Sequence, residues 1–579
     1  MAKALLSGNE AIARGAYEHG VKVAAAYPGT PSTEILENLA RYPGIKAQWS
    51  PNEKVALEVT IGASIGGARA LCAMKHVGVN VAADPLFTFS YTGVHGGLIL
   101  ISADDPGMHS SQNEQDNRTY ARFAKIGLLE PADSQEAKDM VGIGLELSER
   151  FDTPIMLRTT TRISHSKTLV EIGEPKDVPT KDYVKNARKY VAAPANARVR
   201  HVEVEERLLA MAAFSESTEL NRVEMGDRKI GIVTSGICYQ YVKEALPNVS
   251  ILKLGYTNPL PLKKIADFAQ SVEQLWVVEE LEPFMEEQIR AAGIEVHGGK
   301  GQFPNIGELT PSMIRTAVLG AGDDTPPPAA AEVPVRPPVL CPGCPHRGVF
   351  YALRMNRKVV TGDIGCYTLG ASPPLEAMDT TICMGASIGS ALGLEKAHPE
   401  IADKIVAVIG DSTFLHSGIT GLIDTVYNKG TSTVMILDNR ITAMTGHQDH
   451  AATGRTLQGE ETSAVDFEAL CRAVGVQRVR VVDAGDLEAL DEAIKQETSI
   501  REPSVIIARR PCALIVPQTE PRVRVDKEKC TGCRMCMRIG CPAISFSNRK
   551  ASIDPALCVG CGLCMQVCKF DAMVREEEQ

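Results

Sequence analysis

Half of the chain's sixteen cysteines fall within 44 residues near its end, KEKCTGCRMCMRIGCPAISFSNRKASIDPALCVGCGLCMQVCKF, residues 527–570. Cys530, Cys533 and Cys536 are spaced CxxCxxC and are followed by Cys541-Pro542; Cys558, Cys561, Cys564 and Cys568 repeat the arrangement. Three thiolates separated by two residues can wrap one iron–sulfur cubane. A zinc ribbon needs only four ligands per site and gives no reason for two such triplets. Clusters move single electrons and make no product, so the source of the electrons has to lie in the residues before them.

The tail resembles a bacterial-type two-cluster ferredoxin domain, in which the fourth ligand of each cluster comes from the other run. That resemblance implies two [4Fe-4S] sites: Cys530, Cys533 and Cys536 with Cys568, and Cys558, Cys561 and Cys564 with Cys541. Four residues rather than the usual three precede Cys541 in the first run. Fused to a long chain, such a domain is a relay and not a free carrier.

A chain of 579 residues exceeds what one hydrophobic core supports, and three to five units are expected. The net charge of -10, with Lys and Arg scattered, argues against a nucleic-acid binder. Ser7, Gly8, Asn9 and Glu10 interrupt the first apolar run, no stretch reaches the length of a membrane span, and a cytoplasmic protein is expected. Clustered thiols in such a chain point to metal binding and not to disulfides.

Short apolar runs alternate with helical patterning through residues 1–170. The run before Pro28 reads as a strand, and Ser32 or Thr33 is placed to cap a helix carrying Ile35, Leu36 and Leu39. Helices are expected at NEKVALEVTIGASIGGARAL and SQEAKDMVGIGLELSERF, and strands at GLILISADD and PIMLRTT. This is the pattern of a doubly wound parallel sheet. A charged stretch at about 172–197 leads to a second α/β unit at 198–319, a proline-rich linker at 320–338 and a third α/β unit at 339–518. The ferredoxin-like α+β tail fills 519–579. The expected class is therefore multidomain α/β with an α+β end.

In the third unit the strand AVIG ends in Gly410-Asp411-Ser412, and 28 positions after Asp411 another apolar strand ends in Asp438-Asn439. Two strand ends of a parallel sheet share the edge at which ligands bind. A carboxylate and an amide oxygen there are hard donors suited to Mg²⁺, and a helix beginning after Ser412 can turn its amides toward a diphosphate. Taken singly, GD and DN are turn residues. Together they resemble the thiamine-diphosphate motif, with Ser412 and Asp438 as departures from it. The resemblance implies Gly410, Asp411, Ser412, Asn439 and the carbonyl of Ile441 at the cofactor, with Asp411, Asn439 and Ile441 ligating Mg²⁺.

Thiamine also needs a carboxyl at the far ring nitrogen of its aminopyrimidine, held where burial favours the protonated form. Glu53 opens a small-residue helix beside Val55, Ala56 and Leu57 and meets that description, although a glutamate in a first turn is also a common dipole partner.

YPGTPSTEI, PNEKVALE, CPGCPHRG, GDSTFLHSG, ILDN and ITAMTGHQ, in that order before a two-cluster tail, resemble the alpha subunits of indolepyruvate:ferredoxin oxidoreductases, within the 2-oxoacid:ferredoxin oxidoreductases. The resemblance implies Glu53 as the activating acid and Thr30 as a hydrogen-bond donor to the substrate. It also implies a further [4Fe-4S] cluster on Cys341, Cys344, Cys366 and Cys512, with unrelated buried thiols as the alternative. It implies oxidative decarboxylation of arylpyruvates, with the acyl group passing to coenzyme A and electrons to an external ferredoxin. A smaller beta subunit, in a hetero-oligomer such as α2β2, belongs to the same picture. His346, His416 and His447 lie in or beside motifs and are candidates for diphosphate or substrate contacts. Cys72, Cys238, Cys383 and Cys471 sit in apolar context and read as core. Two rivals stay open: a non-oxidative thiamine enzyme, which has no use for the tail, and an electron-transfer subunit that binds no thiamine.

Overall fold

The strand Val23–Ala26, the helix Glu53–Ile65, the strand Leu98–Asp104, the helix Ser134–Phe151 and the strand Ile155–Thr160 form where apolar patterning places them. All seven residues of Leu98–Asp104 and all six of Ile155–Thr160 are buried, as expected for central strands covered on both faces. The helix at Glu53 stops at Ile65, short of the expected end, because Gly66-Gly67 turns the chain and Ala70–Lys75 pairs as a further strand. Ser32 does not cap the helix Thr33–Leu39; its hydroxyl donates to the Gly29 carbonyl at 2.9 Å.

The structure is a computed structural model that describes residues 2–320, 337–517 and 519–576. Most of the proline-rich stretch, from 321 to 336, lies outside the described residues. The chain divides into two compact units, residues 1–331 and 332–579. Among the described residues no helix is long and apolar enough to cross a membrane.

In the first unit a seven-stranded sheet runs in the order Tyr256–Asn258, Gly127–Leu129, Ile155–Thr160, Leu98–Asp104, Ala70–Lys75, Val23–Ala26, Lys46–Trp49, parallel except at its first member. A four-stranded sheet follows the order Gln274–Val278, Asp227–Ser235, Val249–Leu254, Asn221–Glu224. The strand Tyr256–Asn258 comes from the 198–319 stretch yet completes the first sheet, and one apolar core joins Leu98 and Leu100 with Val277 and Met285. Arg118, buried, crosses the same boundary: it pairs with Asp116 and, through Nη1, with Glu279 Oε2 at 2.7 Å.

The second unit carries a six-stranded, wholly parallel sheet: Thr380–Thr381, Val359–Gly362, Ile405–Gly410, Thr433–Asp438, Ser504–Arg509, Arg478–Asp483. The tail adds two small antiparallel pairs, Ile544–Ser547 with Lys550–Ile553 and Val523–Val525 with Met573–Arg575. Gly343, at a left-handed φ of 70°, is where the tail meets the sheet domain. A Cβ there would lie 2.2 Å from Val559 Cγ2, so only glycine fits.

Removing one member of a buried ion pair leaves the other unpaired, at a cost of about 3–5 kcal/mol. Arg118→Ala is expected to destabilise the first unit by that order, seen as an earlier thermal transition, while Arg198→Ala on the same unit's exposed surface leaves it unchanged.

Candidate functional site

Parallel pairing sets Gly410 opposite Leu437, so the turns that follow the two strands emerge side by side at the carboxyl edge. The chain turns into a helix at Asp411–Thr413, passes through one π turn at Phe414–Gly418 and continues as Ile419–Tyr427. A π turn of this kind often marks a functional position. Asp411, Ser412 and Asn439 are all buried. One Asp411 oxygen accepts from the Ser412 amide and the other from the Arg440 amide, each at 2.8 Å, which fixes the carboxylate.

The Asn439 side-chain oxygen stands 2.9 Å from the Ile441 carbonyl oxygen and 3.2 Å from each Asp411 oxygen; with the amide turned over, its NH₂ donates to the same three atoms. Neighbouring oxygens of a Mg²⁺ octahedron lie about 3.0 Å apart, given Mg–O bonds of about 2.1 Å. The residues therefore fit a magnesium ion, with the amide oxygen facing inward. Asp438, the departure from the usual Asn, engages Arg509 at 2.7 Å and Arg440 at 3.2 Å. Its charge is compensated outside the triad.

The three expected histidines fare differently. His447 is exposed, and His450, which the sequence did not single out, places Nε2 3.3 Å from Asp411 Oδ2. His416 is buried, with Nδ1 2.6 Å from the Ser417 hydroxyl. His346 is buried edge-on to Tyr367, and burial lowers its pKa to about 4 against the pull of Asp411. Tyr367 was also missed: its hydroxyl donates to the Ile364 carbonyl at 2.9 Å and reaches Thr413 Oγ1 at 3.2 Å. Only its position next to Cys366 could have marked it. Asp363 accepts from the Gly385 amide at 2.8 Å and is raised to about 6 by burial.

Cys341, Cys344, Cys366 and Cys512 come together. Burial raises Cys344 to about 12 and Cys366 to about 11, and the charges of neighbours within the quartet add to both. Cys512 also feels Cys341 and Asp411, and its amide donates to the main-chain oxygen of Asn439 at 3.0 Å. In the tail, Cys536 is raised by burial and by Cys533, Cys568 and Cys530; Cys564 is raised to about 12 by burial and by Cys561, Cys541 and Cys558. Each tail quartet lines its own cavity. Among the described residues no three His, Cys, Asp or Glu side chains close on a single ion. Cys72, Cys238 and Cys471 are core residues as expected, whereas Cys383 is exposed.

In the first unit Glu53 begins its helix, with Asn52 as cap accepting from the Val55 amide at 2.9 Å. Glu53 is 5% exposed and lies against Gly78, where a Cβ would sit 2.7 Å from Glu53 Cγ. Thr30 follows Gly29 in the turn after Val23–Ala26, and Gly29 packs on Lys75. Burial lowers the Lys75 pKa to about 8, and its Nζ donates to the Ser110 carbonyl at 2.6 Å.

A parallel sheet with a magnesium-sized oxygen triad at its carboxyl edge, fused to paired cysteine quartets, defines a thiamine-diphosphate-dependent oxidoreductase. Family profiles agree: "Pyruvate flavodoxin/ferredoxin oxidoreductase, thiamine diP-bdg" matches residues 14–226, "Thiamine pyrophosphate enzyme, C-terminal TPP binding domain" 363–508, and "4Fe-4S binding domain" 551–574. Indolepyruvate oxidoreductase subunit IorA of Archaeoglobus fulgidus is 43% identical over 98% of this chain and 96% of its own, and that of Pyrococcus horikoshii 43% identical over 100% and 98%. The chain belongs to the IorA family of indolepyruvate oxidoreductase subunits. A solved structure described as 2-oxoglutarate:ferredoxin oxidoreductase from Magnetococcus marinus with 2-oxoglutarate, coenzyme A and succinyl-CoA bound is similar over 55% of this chain and 65% of that one, at 18% identity and a TM-score of 0.47.

The raised thiols carry a chemical consequence. In metal-free protein at pH 8, Cys344, Cys366 and Cys564 are expected to alkylate far more slowly than a free cysteine of pKa about 8.5 and to speed up as pH rises toward 11. Cluster insertion into the 4Fe-4S domain at 551–574 should release the Cys564 proton, measurable as acidification of a weakly buffered reconstitution.

Proposed function

We propose that this chain is the catalytic subunit of an arylpyruvate:ferredoxin oxidoreductase, converting indolepyruvate and related 2-oxoacids with coenzyme A to the aryl-acetyl thioester. The observation that carries the reading is the 3.0 Å hydrogen bond from the Cys512 amide to Asn439, which ties a cysteine quartet to the magnesium-type triad by main chain. Cofactor and first electron acceptor would then be neighbours on one sheet edge.

When bound, thiamine diphosphate supplies the nucleophile for the keto carbon and the electron sink that lets CO₂ leave. Asp411, Asn439 and the Ile441 carbonyl would hold Mg²⁺ against the diphosphate, with Gly410 and Ser412 framing the turn. Glu53, in the first unit, would keep a proton in play at the aminopyrimidine; its buried carboxyl, shaped by Gly78, suits that task. Thr30 would donate its hydroxyl to the substrate carbonyl or carboxylate.

Electrons would leave through three [4Fe-4S] clusters in order. The quartet Cys341, Cys344, Cys366 and Cys512 stands first. The quartet Cys541, Cys558, Cys561 and Cys564 is next, because Pro342-Gly343 of the CPGC segment forms part of its cavity wall. The quartet Cys530, Cys533, Cys536 and Cys568 is last; Cys533 is exposed, where an external ferredoxin would collect the electron. A smaller beta subunit would complete a cytoplasmic complex such as α2β2.

The test is to assay the complex for bound thiamine diphosphate, magnesium, iron and sulfide, and for coenzyme A-dependent dye reduction with several 2-oxoacids. Arylpyruvates should reduce the dye fastest, and protein devoid of thiamine diphosphate would refute the reading. Glu53→Gln is expected to lower kcat by about 10²–10⁴-fold while thiamine diphosphate still binds. Gly78→Ala, which displaces the same carboxyl, should reproduce part of that loss.

A further inference from the structure

Arg347, in the segment CPGCPHRG, is 2% exposed. Its Nη1 donates to the Ile539 carbonyl at 3.0 Å and also to that of Gly540; its Nη2 donates to the Cys341 carbonyl at 3.0 Å and also to that of Leu340. Every acceptor it reaches among the described residues is a main-chain carbonyl, and Nε, also buried, has no partner. A guanidinium stays protonated in proteins. Burying that charge with carbonyl dipoles alone is unfavourable, because dipoles do not replace a counter-ion.

The missing negative charge lies on either side. One pair of acceptors immediately precedes Cys541, and the other ends at Cys341 itself. The guanidinium lines the cavity shared by Cys541, Cys558, Cys561 and Cys564. It also draws down the pKa of Cys344 in one quartet and of Cys541 in the other, against burial, which raises both. The quartet of Cys530 has different cations beside it, Lys550 and Lys527.

A cubane held by four thiolates is an anion, and each electron it accepts adds one negative charge. A fixed neighbouring cation favours the reduced form, and net charge is one of the levers that set cluster potentials. We propose that Arg347 is the shared counter-ion of the two inner clusters, raising the potentials of both together so that one electron released by substrate oxidation passes between them without a large step. Arg347 touches no substrate; it acts through the clusters. The inference rests on reading the quartets as cluster sites.

The test is an EPR-monitored redox titration of the whole complex, comparing wild type, Arg347→Gln and Arg347→Lys. In Arg347→Gln the midpoints of the two inner clusters are expected to fall by roughly tenfold in the reduction equilibrium, about 59 mV for one electron, with the outer cluster unmoved. Arg347→Lys, which keeps the charge, should stay near wild type. Unchanged midpoints in loaded Arg347→Gln, or all three shifting alike, would overturn the inference and leave the cluster assignment standing. Should Arg347→Gln fail to hold clusters, normal loading of Arg347→Lys supports the role of charge, and failure of both variants refutes it in favour of a simple staple. A wild-type complex lacking the Cys341 cluster signal would instead bring down the underlying reading.

Discussion

Parallel registry between Ile405–Gly410 and Thr433–Asp438 is the constraint from which the site in the second unit follows. Because Gly410 pairs with Leu437, the next residues of both strands leave the sheet at the same height and on the same edge. Asp411 and Asn439 are thereby neighbours although 28 positions separate them. A slip of one residue would flip either side chain to the opposite face and dissolve the oxygen triad. Burial of both strands on both faces makes such a slip costly, so the geometry of a hydrophilic site is enforced by hydrophobic packing.

The same edge explains how redox parts attach to it. Thr433–Asp438 pairs with Ser504–Arg509, and the chain leaving that neighbour brings Cys512 back to Asn439. Val359–Gly362, on the other side of the central strand, leads to Cys366. The CPGC segment supplies Cys341 and Cys344 and then offers Arg347 and Gly343 to the tail. In the proposed relay, structural staple and electrical position would coincide in these few residues: whatever fixes the tail's distance from the sheet would also fix the distance an electron crosses.

Much of this was legible beforehand where chemistry is local. Strands with uninterrupted apolar runs, such as Leu98–Asp104 and Ser504–Arg509, announce themselves because both faces are buried. The short strands Lys46–Trp49 and Gly127–Leu129 do not, since three or four residues carry no distinctive period. The motif ITAMTGHQ singles out His447 and passes over His450. The turn that carries them exposes one and aims the other at Asp411, and nothing in the neighbouring residues distinguishes the two. Tyr367, Arg347 and Gly78 were silent for a related reason: each matters through a partner remote in sequence.

Residue type and spacing by themselves determined the kinds of ligand available: soft thiolates in triplets for iron and sulfur, hard oxygens at strand ends for magnesium, and a carboxyl at the head of a small-residue helix. These are properties of side chains and of local periodicity. Which histidine approaches the carboxylate, and that a buried guanidinium meets main-chain carbonyls from both the CPGC segment and the tail, were decided only by tertiary structure. Such contacts arise from strand order and close packing, which depend on the whole core at once and not on any local stretch of chain.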